Sequence, residues 1–192
     1  MKRNNYDNVL SIGHANINLG LFSVLFIIFY VIAWSNSFNI TDGLDGLASS
    51  LSLPLLVGLF IIGKSEKNEL LVISSLCMFF SIIGFLVFNF HPALVFMGNV
   101  GSHAIGAGIG VIGILTKNEI TLAIMGLVFV FETISVILQV LYFKKTKGKR
   151  LFKMAPFHHH LELIGYNEHS ISFVLVLISI MFVILSLIYK GI

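Results

Sequence analysis

Apolar runs about as long as a bilayer is thick punctuate this chain, and they leave few folds open to it. Six can be read, at 19–34, 48–62, 70–88, 104–115, 120–143 and 171–189. A helix rising 1.5 Å per residue needs roughly 20 apolar residues to cross the hydrocarbon. The second and fourth runs are the shortest and the richest in Gly and Ser. An open strand edge in lipid would leave backbone groups unpaired, and no strand alternation is evident, so helices are expected. The expected fold class is all-α: a polytopic transmembrane helix bundle forming a single membrane domain over 1–192. Composition agrees. The chain is 57% hydrophobic and 11% charged, whereas a soluble domain is about 45–50% apolar and about 25% charged. The lone Cys77 excludes a disulfide framework. Residues 1–19 are polar, with no apolar centre or cleavage pattern, so no signal peptide is expected.

Charge sets the orientation. Of the 12 basic residues, Lys144, Lys145, Lys147, Lys149, Arg150 and Lys153 crowd one connection. Beside a spanning helix such a run marks the cytoplasmic side rather than a nucleic-acid surface. Parity then puts 144–160, 89–103 and 36–46 on the cytoplasmic face, and 63–69 and 116–119 on the other. The connections richest in Asn, Asp, Gly and His therefore share one side.

Three stretches carry the chemistry. In Asn36-Ser-Phe-Asn39-Ile-Thr41-Asp42-Gly43-Leu44-Asp45-Gly46, a helix starting at the aspartates would place both carboxylates on one face, with Thr41 as a cap. An ordinary acidic first turn would look the same. However, ionisable groups at a membrane edge are costly and point to function. In Asn89-Phe90-His91-Pro92-Ala93-Leu94-Val95-Phe96-Met97-Gly98-Asn99-Val100-Gly101-Ser102, Phe96 offers a stacking face. The glycines suggest a turn opening a helix as a weak anion cradle. Gly106 and Gly110 read as helix packing instead. The third stretch runs from Lys153 to Leu163 through His158-His159-His160. Three adjacent imidazoles cannot all face one ion, so phosphate contact by one or two of them fits better than a metal centre. Glu132, alone in an apolar run, reads as a partner for a polar group on a neighbouring element. His14, His103 and His169 read as ordinary loop histidines.

In order and spacing, NSFNITDGLDGLA, NFHPALVFMGNVGS, FETISVILQV and KMAPFHHHLELIGYNE resemble the phospho-N-acetylmuramoyl-pentapeptide-transferase family, in its C-terminal part. These enzymes are polyprenyl-phosphate N-acetylhexosamine-1-phosphate transferases of the bacterial cytoplasmic membrane. The resemblance implies attack of undecaprenyl phosphate on UDP-MurNAc-pentapeptide, releasing UMP and forming the first lipid-linked peptidoglycan precursor (lipid I) at the cytoplasmic face. It implies Mg2+ as cofactor and membrane lipid as surroundings, with no nucleic acid as partner. Asn36, Asn39, Asp42, Asp45 and Asn89 match positions that hold or orient the nucleotide, and Phe96 an aromatic that stacks on uracil. His158, His159 and His160 match the catalytic histidine motif.

Two departures stand out. Asn99 occupies a position where the family pattern has a metal-binding Asp, and an amide is a poorer ligand for a hard dication. The family also carries an Asp-Asp motif in its N-terminal half, and no Asp-Asp pair occurs in this chain. Three readings stay open. They are a transferase working with a separately encoded N-terminal half, a truncated or degenerate protein retaining UDP-sugar binding, and a related UDP-GlcNAc transferase.

Overall fold

The computed structural model describes residues 9–12 and 15–192, and His14 lies outside them. Two short strands, β1 (Val9–Ile12) and β2 (Ala15–Asn18), pair antiparallel. Among the described residues they are the one departure from an all-helical fold. Eight helices follow: α1 (Phe22–Thr41), α2 (Leu47–Ser65), α3 (Glu69–Asn89), α4 (Gly98–Leu115), α5 (Glu119–Met125), α6 (Leu127–Lys145), α7 (Phe157–Leu163) and α8 (Glu168–Lys190). Six of them are long and apolar enough to cross a membrane.

Local chemistry sets the ends. The Asn68 side chain accepts from the Leu71 N–H and the Asn167 side chain from the Ser170 N–H, capping α3 and α8. An acidic residue in the first turn, Glu69 or Glu168, adds favourable charge–dipole energy in each. Lys144 and Lys145 close α6 in the same way at its C-terminus.

The bundle is built around α2, whose Leu51, Leu55, Leu59 and Ile62 are fully buried. It packs against α3 and α8, while α1 packs against α4 and α6. Gly106 and Gly110 are packing glycines, as expected. A Cβ on Gly106 would lie 2.6 Å from the Trp34 carbonyl oxygen, and one on Gly110 would lie 3.1 Å from the Trp34 Cβ. Outward faces carry exposed Phe22, Phe29, Phe80, Val87 and Ile188, as lipid-facing surfaces do.

Two expectations change. The fifth apolar run is not one helix but two, α5 and α6, broken at Gly126. The Trp34 ring fills the space where a Gly126 side chain would stand. The first helix also runs seven residues past the predicted end at Trp34, so Asn36 and Asn39 belong to its last turns. Asp42 and Asp45 consequently do not open a helix. Asp42 follows α1 as its C-cap, Asp45 lies in the turn beyond, and α2 begins after Gly46, whose φ is +65°. Thr41 caps nothing ahead of it, because its hydroxyl donates back to the Ser37 carbonyl at 2.7 Å.

The connections 42–46, 90–97 and 146–156 meet at one end of the bundle, as parity predicts. At the other end Lys190 bridges to Glu66 at 2.7 Å, and Asn118 donates to the same carboxylate at 3.3 Å.

Candidate functional site

A polar cavity of about 220 Å³ opens where these connections meet, and Asn39, Asp42, Asp45, Asn89, Phe96 and Asn99 all line it. Its floor is tied to the helices beneath. Asn39 sits in the last turn of α1, and its Nδ2 donates to Asn99 Oδ1 at 3.2 Å and to Ser102 Oγ at 2.8 Å. These bonds hold the start of α4 against α1. Asn89, the last residue of α3, is buried, and both ends of its amide are engaged. Oδ1 accepts from Ser49 Oγ at 3.1 Å, and Nδ2 donates to the Val95 carbonyl at 3.0 Å. Asn89 thus folds the 90–95 segment over α2.

Asp45 is similarly committed. One carboxylate oxygen accepts from the Ala93 N–H at 2.9 Å and lies 3.0 Å from His91 Nδ1. Glu168, at the start of α8, reaches the same ring nitrogen at 3.5 Å. His91 therefore joins three elements, and the His169 ring packs edge-on against it at 4.6 Å.

Two groups are left open. Among the described residues no hydrogen bond engages the Asp42 carboxyl, and burial pushes its pKa up to about 6. Phe96 is 72% exposed, so its ring face is free. Asn36 is exposed and does not line the cavity; its amide donates to the Ile32 carbonyl of its own helix at 2.9 Å.

The histidine motif forms α7. The rings of His158 and His159 pack edge-on at 4.3 Å, and His160 turns away from them. His158 is fully buried, and both its backbone N–H and its Nδ1 reach Glu132 Oε2, at 3.3 and 3.2 Å. Nδ1 is thereby engaged, and Nε2 is the ring's open atom. That Nε2 is buried without a partner and packs directly over Gly43, next to Asp42. His159 also reaches Gly43, and its Nδ1 makes a short hydrogen bond with Glu162. His160 turns away to stack between Phe152 and Phe157, and its Nδ1 accepts from the Lys153 N–H at 3.2 Å.

The residues around Asn99 do not by themselves fit magnesium. A hard dication prefers several anionic oxygens. Here it would meet one amide oxygen already accepting from Asn39, the open carboxyl of Asp42 and the second oxygen of Asp45, whose first is taken by Ala93 and His91.

Sequence reasoning placed Glu132 correctly as a partner for a polar group, which is His158. It missed the tie between His91 and Asp45, and the roles of Glu168 and Gly43. Only the Asp-rich spacing hinted at Gly43, and nothing local marks the others, which meet through the fold.

Comparisons with known proteins show the family. The model of glycosyl transferase family 4 matches residues 2–117. Proteins named phospho-N-acetylmuramoyl-pentapeptide-transferase are similar over most of the chain. That of Listeria welshimeri is 45% identical over 165 residues, covering 85% of this chain and 51% of the relative. That of Listeria monocytogenes is 45% identical over 167 residues, covering 86% and 52%. That of Streptococcus thermophilus is 49% identical over 167 residues, covering 83% and 48%. The chain spans about half the length of these curated relatives. With the family model matching well over half of its residues, the chain belongs to glycosyl transferase family 4.

Proposed function

We propose that this chain supplies the nucleotide-binding and histidine portion of a site that transfers phospho-MurNAc-pentapeptide from UDP to undecaprenyl phosphate. The observation that carries this reading is the placement of the open His158 Nε2 directly over Gly43, beside Asp42. A uridine base stacked on Phe96 would meet the polar groups of Asn39 and Asp42. Its phosphates would then extend towards His158 and His159. Glu132 orients His158 by engaging both its backbone N–H and its ring Nδ1. Asp45, Asn89 and His91 set the shape of the cavity. Asn36 and His160 support this reading least, since their side chains are taken up elsewhere.

The site lies at the bundle end that carries the lysine-rich connection. By the positive-inside rule that end faces the cytoplasm, and the similarity to bacterial relatives supports the inner membrane as its place. Mg2+ belongs to this proposal only with further carboxylates from outside the chain, in the half of the family fold that it does not span. A separately encoded N-terminal half carrying an Asp-Asp motif would provide them.

A second reading has an observation of its own. Asn99 Oδ1 is occupied by the Asn39 amide, which suits a protein that binds uridine nucleotides without transferring anything. Measuring UMP release from UDP-MurNAc-pentapeptide separates the two, with the chain alone and with a complementing half, at varied magnesium. UDP-GlcNAc in parallel tests the related specificity. The expected outcome is slow transfer only in the complemented sample, accelerated by Asn99→Asp. That change keeps the acceptor for Asn39 and adds a charge worth ~3–4 kcal/mol against a dication, or roughly two to three orders of magnitude in rate. Uridine nucleotide binding without transfer in every sample would favour the second reading.

A further inference from the structure

Six cations, Lys144, Lys145, Lys147, Lys149, Arg150 and Lys153, occupy the end of α6 and the connection to α7. Among the described residues none of them pairs with a carboxylate; the lysine–carboxylate bridge, Lys190–Glu66, lies at the far end of the bundle. Arg150 and Lys153 reach only backbone carbonyls, those of Lys153 and Leu163. So much positive charge without protein counter-ions calls for an anion from elsewhere.

The connection is not a loose tail. Gln139, on the last turns of α6, accepts from the Leu151 and Phe152 N–H groups at 3.1 and 2.9 Å, and donates to the Phe152 carbonyl at 3.1 Å. Those bonds fold the segment back along the helix. A cleft of about 460 Å³ remains between them, lined by Val136, Val140, Phe143 and Met154, with Lys144 and Arg150 at its rim. Val140 and Phe143 are both nearly half exposed. Since α6 spans the membrane, its C-terminal turns lie at the lipid–water boundary.

An apolar strip running down a spanning helix beneath a cationic rim has the outline of a phospholipid with a negative headgroup. We propose that this cleft binds an anionic phospholipid of the adjoining leaflet. The phosphate sits between Lys144 and Arg150, and the first acyl segment lies along Val136, Val140 and Phe143. Charge complementarity identifies this occupant. A zwitterionic lipid would bring its own cation to a rim that already has an excess, and a free anion would leave the apolar strip uncovered. The site does not depend on transfer activity.

Native mass spectrometry of the full chain, released from a mild nonionic detergent, tests this against added phosphatidylglycerol or phosphatidylcholine. Phosphatidylglycerol should form a saturable one-to-one adduct and phosphatidylcholine should not. Lys144→Gln or Arg150→Gln should weaken the adduct about fivefold each, and the double variant roughly 25-fold. Arg150→Lys should retain most of the binding. Val140→Trp, which fills the cleft and changes no charge, should weaken it as well. Lys64→Gln with Lys67→Gln, at the opposite end, should leave it unchanged. Equal adducts with phosphatidylcholine, or equal loss in the Lys64/Lys67 control, would overturn the assignment. So would full binding by Val140→Trp, which would reduce the site to a diffuse basic surface. Displacement by an equimolar polyprenyl monophosphate would overturn it in favour of a single-chain phosphate ligand.

Discussion

At Gly43 the absence of a side chain lets the His158 and His159 rings settle against the α1–α2 connection, and any Cβ would drive them off. Beside it, Asp42 lies where burial pushes its pKa from the ordinary carboxylate range up to about 6. An acid raised in the folded state contributes stability that is fully present below about pH 4 and is lost as pH rises through about 6. Asp42→Asn should therefore leave thermal stability unchanged near pH 4 and raise it at pH 7.5, while weakening uridine nucleotide binding at pH 7.5. Melting curves at the two pH values, with calorimetric titration of a uridine nucleotide, check both halves. No gain at pH 7.5 would mean that the carboxylate is not strained by burial. An unchanged affinity would remove it from the binding surface.

Between elements, close packing depends on positions where nothing larger than glycine fits. Gly106 and Gly110 let α4 lie against the α1 backbone, and Thr133 on α6 donates to Ser37 on α1 at 2.8 Å. Gly126 does more than fill space. The indole of Trp34 occupies the break between α5 and α6, and the chain bends around it. Gly126→Ala should destabilise the protein by about 1–3 kcal/mol, the usual cost of overpacking. Trp34→Leu should restore much of that loss when combined with it. A double-mutant cycle on detergent-solubilised protein measures the coupling, and strictly additive effects would show that the indole does not set the bend. Hydropathy read 120–143 as a single run because Gly126 is apolar enough to pass unnoticed. The bend follows from a ring that arrives from 92 positions earlier in the chain.

Across the whole molecule, sidedness links the six spans to the candidate site. In a chain with Cys77 replaced by Ser, cysteines introduced at Leu94 and Gly148 should react with an impermeant maleimide only from the cytoplasmic side. Those at Lys67 and Lys117 should react only from the opposite side, and labelling of Leu94 and Lys67 from the same side would dismantle the shared face. The helical class and the six spans were determined by the sequence alone. A bilayer is a uniform apolar solvent that reads each run locally, without reference to any partner. The sequence also marked the polar stretches that the fold gathers at one end of the bundle, because ionisable groups at a membrane edge are few. Only the tertiary structure decided how those groups divide their work. Asp42 and Asp45 look equivalent in a line of residues, yet Asp45 is held by Ala93 and His91 while Asp42 stays open. Asn89 is spent on Ser49 and Val95, and His158 on Glu132, whereas Phe96 keeps its face free. The reason is physical. A buried hydrogen-bonding group takes whichever partner the packed helices bring within about 3 Å, and those partners stand 26 to 48 positions away for His158 and Asp45.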